Sequence, residues 1–161
     1  MEIKDEIFRN YDIRGIYDSE LNEDLSEKIG KALGSIIKRN GGKRVVVGRD
    51  NRSSSPPLTQ SLIDGFLSTG CDVVDVGISL TPIIHFLTCE KDFDMGVEVT
   101  ASHNPKEYNG YRIDYKNAKP LYGDDIEKVK ELIEAEDFEE GKGSLEEKDL
   151  FPEYLNYLKS K

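Results

Sequence analysis

Hydrophobic residues recur at helical spacing along much of the chain. In the first such segment, residues 21–37, leucines and isoleucines follow one another every three or four positions, which predicts an amphipathic helix with Asn22 as its cap. The paired prolines at 56–57 suit the start of a second helix, and Pro82 suits the start of a third. The apolar stripes of the later predicted helices lie in residues 58–67, 83–87, 126–133 and 150–158.

Short runs rich in valine alternate with these helices. Residues 44–48 have no polar alternation, as expected for a strand that is buried on both faces, and residues 72–76 predict a second buried strand. Residues 94–99, with alternating Val97 and Val99, predict a third strand. Residues 111–115 follow only a short Asn-Gly turn, so they predict a strand that returns antiparallel to its neighbour. The pattern predicts one α/β domain over residues 1–161. Its expected architecture is a three-layer α/β/α domain with a mixed, mostly parallel sheet of about four strands.

Composition is typical of a soluble, cytoplasmic domain. Hydrophobic residues make up 37% of the chain and charged residues 34%, and no apolar run is long enough to span a membrane. The start of the chain shows no signal-peptide pattern. Cys71 and Cys89 lack the spacing of a metal site and lie among apolar residues, so we expect buried, reduced thiols. His85, within an apolar helical segment, is expected to be a satisfied core or boundary histidine.

The net charge of −10 is unevenly distributed. Residues 124–153 hold thirteen acids and four lysines, which leaves a charge of −1 for the rest of the chain. This acidic stretch, expected to form a solvated helix and loop face, argues against nucleic acid as a partner. All seven arginines precede it, so the body of the domain is able to hold a local phosphate-binding patch.

Ser102 is the leading candidate for chemistry. It follows the predicted strand 94–99 and precedes His103, Asn104 and Pro105, so a hydroxyl is presented at the sheet edge where ligands usually bind. The adjacent His103 points to the opposite side in an extended segment and is a poor base. Because no G-x-S-x-G elbow surrounds the serine, hydrolysis is disfavoured. The residues alone leave a turn-capping hydroxyl and a functional serine equally open.

Two arginine-rich loops accompany the Ser102 segment. F-R-N-Y-D-I-R-G, residues 8–15, precedes the first helix, and G-R-D-N-R-S-S-S, residues 48–55, follows the first buried strand. The second loop is expected to open on the same sheet edge as Ser102, where guanidiniums, hydroxyls and backbone N–H groups bind phosphate. The structural alternative is a set of ion pairs among Arg49, Arg52, Asp50 and Asp64.

Together these motifs resemble the α-D-phosphohexomutases, the family of phosphoglucomutase, phosphomannomutase and phosphoglucosamine mutase. F-R-x-Y-D-I-R-G, G-R-D-x-R-x-S-S, T-A-S-H-N-P and Y-N-G-Y-R-I follow one another in the order and spacing of that family. The resemblance extends over essentially the whole chain and corresponds to the N-terminal domain I. The remaining family domains are expected to lie outside this sequence.

The resemblance implies an intramolecular phosphotransferase of the isomerase class, active in carbohydrate metabolism. Ser102 would carry a phosphoryl group, and hexose 1-phosphate and hexose 6-phosphate would interconvert through a hexose bisphosphate. The phosphate on Ser102 would coordinate Mg²⁺, with the other ligands in a missing domain. The further catalytic candidates are His103, Arg14 and Arg112, and the candidates for binding substrate or phosphate are Tyr11, Arg9, Asn104 and Arg52.

Two departures from the family pattern bear on this inference. Arg112 stands where most bacterial relatives have lysine, and arginine neutralises phosphate but is a poor proton shuttle. The metal loop and the sugar-recognition loop of the family are not in this sequence, so we expect the chain alone to be catalytically incomplete. Its expected partners are hexose phosphates, hexose bisphosphates and the remaining domains, without nucleic acid or membrane. The alternative is a stand-alone, non-enzymatic module that binds phosphate or docks a partner.

Overall fold

The computed structural model describes residues 2–161, in which seven strands and five α-helices alternate along the chain. The strands are β1 (Ile13–Ile16), β2 (Arg44–Arg49), β3 (Asp72–Ile78), β4 (Met95–Val99), β5 (Tyr108–Tyr115), β6 (Lys119–Pro120) and β7 (Leu145–Glu147). The helices are α1 (Glu23–Arg39), α2 (Ser55–Ser68), α3 (Thr81–Glu90), α4 (Asp124–Ala135) and α5 (Phe151–Lys159).

The strands form one mixed sheet in the order β1-β5-β4-β2-β3-β7, with β6 paired to β5. Strand β2 pairs in parallel with β3 and β4, and β3 pairs in parallel with β7. Strand β5 is antiparallel to all its neighbours β1, β4 and β6. The mixed α/β/α architecture is confirmed, and so is the antiparallel return of β5.

The sheet has seven strands rather than the expected four or so, and half of its pairings are antiparallel. The additional strands β1, β6 and β7 span only four, two and three residues. Segments this short carry too few side chains to show a period of two, so the sequence pattern does not reveal them.

Helices cover both faces of the sheet. One core, to which α1, α2 and α4 contribute, packs against residues of β2, β4 and β5 such as Val45, Val97 and Tyr111. On the opposite face, α3 and α5 pack around Val46 and Val74. Because neighbouring residues of a strand face opposite sides, strand β2 is buried on both faces, as its unbroken valine run predicts.

Local sequence signals set the ends of the predicted helices. The side chain of Asn22 accepts a hydrogen bond from the Leu25 N–H at 3.0 Å, which caps α1.

The two cysteines differ in their exposure. Cys71 is buried as expected, whereas the prediction that Cys89 is buried is wrong, since that residue is exposed. Cys89 lies two positions after Leu87 in α3, on the helix face turned away from the sheet. Among residues 2–161, no helix combines the length and the apolar character needed to cross a membrane.

The order of the strands sets two loops side by side. Strands β2 and β4 are parallel neighbours, so the loops that follow them leave the sheet at the same edge. The Asp50 N–H donates to the Val99 carbonyl at 3.0 Å, just beyond the last paired residues. The arginine-rich loop after β2 therefore adjoins the Ser102 loop after β4.

Candidate active site

The Ser102 loop is shaped first by its own short-range hydrogen bonds. The Ser102 N–H donates to the Thr100 hydroxyl at 3.0 Å, and the Asn104 N–H donates to the Ala101 carbonyl at 3.0 Å. Ser102 has a φ of 52°, in the left-handed region that costs a non-glycine residue about 1 kcal/mol or more. The residue is exposed. The fold thus presents a strained, accessible serine at the carboxyl edge of the sheet.

Arg52 joins the Ser102 loop to the loop after β2. Its Nε donates to the Asp50 carboxylate at 3.1 Å, and each of its two Nη atoms donates to two backbone carbonyls. The four carbonyls belong to Ser102 (3.0 Å), Asn104 (2.8 Å), Pro105 (2.7 Å) and Tyr108 (3.2 Å). An arginine has five N–H donors, and each of them has a protein acceptor here. The Arg52–Asp50 ion pair that the structural alternative predicts is therefore present.

Asp50 and Asn109 fix the loop that holds Arg52. Besides the guanidinium, Asp50 accepts the backbone N–H of Arg52 at 3.0 Å and the Ser55 hydroxyl at 2.5 Å. Asn109, fully buried in β5, donates through Nδ2 to the hydroxyls of Ser54 at 2.8 Å and Ser55 at 2.9 Å. These serines thus join the loop to β5, which lies on the other side of β4.

Arg14 connects β1 to the Ser102 loop. Its Nη1 donates to the Asn104 side-chain oxygen at 2.6 Å, and its Nη2 lies 2.5 Å from the Asp12 carboxylate. Burial lowers the pKa of Arg14, the charge of Asp12 opposes that shift, and the nearby cations Arg9 and Arg52 add to it. The guanidinium of Arg14 is thus held between the Asp12 carboxylate and the Asn104 side chain, two positions from Ser102.

Tyr111 and Ile113 of β5 point into the core formed with α1, α2 and α4, so Arg112 between them faces the α3 side of the sheet. Its Nη1 donates to the Tyr11 carbonyl at 3.2 Å, and its Nη2 donates to the Asp114 carboxylate at 3.4 Å. Asp114 is fully buried and its Oδ2 lies 2.9 Å from Nε2 of His85, whose side chain is 39% exposed; His85 is thus at the boundary of the core, while its Nε2 makes no well-aligned hydrogen bond among the described residues. Burial raises the pKa of Asp114, and the charges of His85 and Arg112 oppose the shift. Because an arginine stays protonated at neutral pH and its guanidinium is held by the Tyr11 carbonyl and the Asp114 carboxylate, Arg112 is a positive charge in a fixed position.

The other candidates lie around this framework. Tyr11 is 62% exposed, and its ring stacks on Tyr122 with centroids 6.1 Å apart. Arg9 Nε lies 3.5 Å from the Asp12 carboxylate, which also binds Arg14. His103 is exposed between two residues whose carbonyls Arg52 holds. The structure thus brings Arg9, Arg14, Arg52, Asn104 and the Ser102 backbone into one set of contacts and Tyr11 and Arg112 into another.

A buried carboxyl group lies in β4, next to the loop that follows β2. Glu98 pairs with Arg112 across β4 and β5, is 1% exposed, and its Oε2 has no hydrogen-bond partner among the described residues. Burial raises the pKa of Glu98 from 4.5 to about 8, and the charge of Asp50 adds to the shift. Gly48 leaves room for the group, since a Cβ there would lie 2.7 Å from Glu98 Oε2. Glu98 therefore keeps its proton at neutral pH.

The side chains of this chain do not by themselves fit a Mg²⁺ site. Within residues 2–161, no group of three or more His, Cys, Asp or Glu side chains is placed to hold a metal ion. Asp12 and Asp50, which adjoin the Ser102 loop, are each bound to an arginine. A phosphate on Ser102 would therefore supply a single ligand, while Mg²⁺ usually needs further protein ligands and water.

The site lies on an open surface. A separate depression of about 630 Å³ near the amino terminus shares no lining residue with the Ser102 loop. Its lining consists of Glu2, Ile3, Lys4, Asp5, Glu6 and Glu20. Because four of these six side chains are acidic, the depression disfavours a phosphorylated ligand.

Sequence reasoning missed the residues that hold the candidates in place. Asp50, Asn109, Glu98 and Asp114 were not predicted as site residues. Asp50, Asn109 and Asp114 are hydrogen-bonded to an arginine or a serine of the site, and Glu98 is the register partner of Arg112. A usable signal existed for those in strands, because a buried polar residue inside an apolar strand needs a partner. The structural alternative is also incomplete, since within residues 2–161 the Arg49 side chain donates to the Asp50 carbonyl at 3.3 Å and forms no ion pair.

Comparison with known proteins points to one family. The family model for phosphoglucomutase/phosphomannomutase, alpha/beta/alpha domain I, matches residues 5–140. A phosphoglucomutase/phosphomannomutase of Thermococcus kodakarensis is 42% identical over 161 residues, and a phosphomannomutase/phosphoglucomutase of Pseudomonas aeruginosa is 39% identical over 153 residues. The crystal structure of a phosphoglucomutase/phosphomannomutase family protein from Burkholderia thailandensis superimposes with a TM-score of 0.93 at 37% identity.

These similarities cover nearly all of this chain and a minor part of the relatives. The matches include 96% and 95% of the chain but only 35% and 33% of the Thermococcus and Pseudomonas proteins. The structural superposition covers 99% of the chain and 36% of the Burkholderia protein. The chain therefore spans about a third of the length of the relatives it matches.

Proposed function

Because the chain belongs to the phosphoglucomutase/phosphomannomutase family and matches its domain I, we propose that it is the phosphoryl-carrying domain of a hexose-phosphate mutase. The observation that carries this proposal is Ser102, an exposed serine in a loop that arginines hold in place. The reaction is the interconversion of hexose 1-phosphate and hexose 6-phosphate. Ser102 carries the phosphoryl group between the two positions.

Each half of the reaction exchanges one phosphate ester for another. A free hydroxyl of the hexose monophosphate attacks the phosphorus on Ser102, the serine O–P bond breaks, and the product is a hexose bisphosphate. The hydroxyl loses a proton and the serine oxygen gains one, so the proton count is unchanged. Ser102 then attacks the other phosphate of the bisphosphate, which regenerates phosphoserine and releases the isomeric monophosphate.

The arginines supply the charge neutralisation that phosphoryl transfer needs. Arg14 is bound to Asn104, two positions from Ser102, and is placed to stabilise the phosphate on the serine. Arg112 is fixed between Tyr11 and Asp114, where it neutralises substrate phosphate but exchanges no proton. In this proposal Arg9 and Tyr11 face the substrate, and His103 and Asn104 flank the phosphoserine.

Mg²⁺ bound to the phosphate on Ser102 would neutralise further charge, with its remaining ligands from outside this chain. The sugar-recognition groups are likewise expected outside it. The proposed function therefore assigns this chain the phosphoryl carrier and one wall of the active site.

Intact-mass analysis tests the carrier role. The purified chain is incubated with glucose 1,6-bisphosphate, and the mass is measured for the wild type, Ser102→Ala and Ser53→Ala. We expect the mass of one phosphate on the wild type and on Ser53→Ala, whose exposed serine lies in the neighbouring loop, and none on Ser102→Ala. A phosphate that persists in Ser102→Ala, or a wild type that acquires none, contradicts the proposal.

A further inference from the structure

We propose that Arg52 is a positioning residue that sets the backbone of the Ser102 loop, and that it does not bind the substrate phosphate. The inference rests on the proposed function of Ser102. It also changes the role that family resemblance implies for Arg52, which is direct phosphate binding. The following contacts support it.

The first support is that Arg52 has no donor to spare. Its five N–H groups are directed at the Asp50 carboxylate and at four backbone carbonyls. The side chain is only 13% exposed. A phosphate oxygen bound by Arg52 would have to displace one of these acceptors and leave a carbonyl of the loop without its partner, which is unfavourable in a part-buried site.

The second support is the identity of the acceptors. The Ser102 carbonyl belongs to the peptide group between Ser102 and His103, the Asn104 carbonyl belongs to the peptide group between Asn104 and Pro105, and both bind Nη2 of Arg52. Fixing these oxygens fixes the rotation of the two peptide planes. Ser102 needs such support, because its φ of 52° is unfavourable for a residue with a side chain. Arg52 therefore stabilises the left-handed conformation of Ser102, which the rest of the loop would not maintain without this contact.

The third support is the shape of the guanidinium. Its donors form a rigid planar fork, which here spans Asp50 on one side and the carbonyls on the others. Asp50 orients that fork through Nε and also accepts the Arg52 backbone N–H. A lysine ammonium carries three donors on one atom and is unable to reach this set of acceptors at once.

The charge of Arg52 still acts on the site without contact. Arg52 is one of the cations that lower the pKa of Arg14, so its field extends to the guanidinium bound to Asn104. A cation behind the loop favours the phosphorylated state of Ser102. Positioning and charge can be separated, because lysine keeps the charge and loses the fork.

The experiment compares Arg52→Lys, Arg52→Gln and the control Arg49→Gln, whose arginine makes a single backbone contact from the same loop. Two quantities are measured. One is the rate at which Ser102 acquires phosphate from glucose 1,6-bisphosphate, and the other is amide hydrogen exchange at Asn104 and Tyr108, whose N–H groups are bonded within the loop. Exchange in α1 reports whether each variant is folded.

We expect both Arg52 variants to lower the phosphorylation rate at least about tenfold and to speed exchange in the loop, with α1 protected as in the wild type. Arg49→Gln should change neither quantity. Arg52→Lys with wild-type rate and wild-type exchange overturns the inference, as does a lower rate with unchanged exchange, which indicates direct phosphate binding. If the wild type acquires no phosphate on Ser102, the proposed function fails, while loop exchange still decides whether Arg52 positions Ser102. If Arg52→Gln does not fold, the comparison of Arg52→Lys with the wild type is sufficient for the test.

Discussion

At the scale of single residues, Glu98 shows how one buried side chain makes folding depend on pH. Its carboxyl group lies beside Gly48, and Oε2 has no hydrogen-bond partner among the described residues. Burial raises its pKa from 4.5 to about 8. At neutral pH the folded protein therefore keeps this proton, whereas the unfolded chain releases it. Folding takes up a proton, and a rise in pH opposes it.

The expected consequence is a loss of stability with rising pH. The contribution of Glu98 is fully present below its unfolded pKa of 4.5 and is lost as the pH rises through about 8. Glu98→Gln removes this dependence, so we expect it to be more stable than the wild type at neutral pH. Urea unfolding of both proteins between about pH 5 and pH 8 measures the effect. Glu146→Gln, at an exposed position in β7, is the control, and parallel curves for Glu98→Gln and the wild type would contradict the prediction.

Single residues of the site differ in how far the sequence predicted their role. Ser102 stands out because T-A-S-H-N-P is local, so the serine, the turn and the end of the strand lie within a few positions. The role of Arg52 is not local, since its acceptors are backbone carbonyls 50 to 56 positions away. Every residue type carries a carbonyl, so no side-chain identity marks such an acceptor. The ion pair with Asp50 was predictable because the partners are two positions apart.

At the scale of secondary-structure elements, α1 and α2 approach each other through facing glycines. A Cβ on Gly65 of α2 would overlap the Glu27 carbonyl oxygen and lie 2.9 Å from the Cα of Gly30 in α1. Backbone atoms are unable to yield as a flexible side chain does. The two helices therefore depend on small residues at this crossing, which places both against the sheet that supports the site.

The substitution Gly65→Ala has two opposing effects on stability, because it raises the helix propensity of α2 and overpacks the contact with α1. In an open helix, alanine is favoured over glycine by about 1 kcal/mol, whereas overpacking of a tight contact costs typically about 1–3 kcal/mol. Because the new Cβ meets backbone, we expect the packing cost to be the larger and the free energy of unfolding to fall by about 1–2 kcal/mol. Urea unfolding measures it. Gln60→Ala, on the exposed face of α2, should stay within about 0.5 kcal/mol, and a Gly65→Ala protein as stable as the wild type would show that propensity dominates.

Elements differed in how well their sequence pattern predicted them. The stripes of α1, α2 and α4 repeat over three or more turns, so the helical period is well sampled. Strand β7 reads Leu-Glu-Glu and is exposed throughout, so neither alternation nor hydrophobicity distinguishes it from a loop. Its place at the sheet edge depends on pairing with β3, some 72 positions earlier. Such pairing is a tertiary property, which local sequence does not encode.

At the scale of the whole molecule, apolar side chains remain exposed on two surfaces. Ile78, the last residue of β3, is 68% exposed, and Leu80, which follows the strand, is 63% exposed; both lie at the same edge of the sheet as the Ser102 loop. On α5, Phe151, Leu155 and Leu158 are also exposed and are spaced as one helix face. The relatives continue well beyond the region that matches this chain, and the site, which lies on an open surface, has Ser102 but no cluster of metal ligands within residues 2–161.

A site without a cluster of metal ligands among the described residues should be unable to sustain turnover. Efficient transfer needs the attacking hydroxyl held in line with the phosphoserine while charge is neutralised on all sides, and under the proposed function the described residues supply the carrier serine and its arginines without a cluster of metal ligands. With hexose 1-phosphate, Mg²⁺ and glucose 1,6-bisphosphate, we therefore expect at most the single transfer that phosphorylates Ser102 and no sustained formation of hexose 6-phosphate beyond it, measured with a coupled assay. The full-length Pseudomonas aeruginosa relative under the same conditions is the positive control. Turnover by this chain that disappears in Ser102→Ala would mean that one wall of the site suffices, because the same serine would then complete both halves of the reaction without further loops.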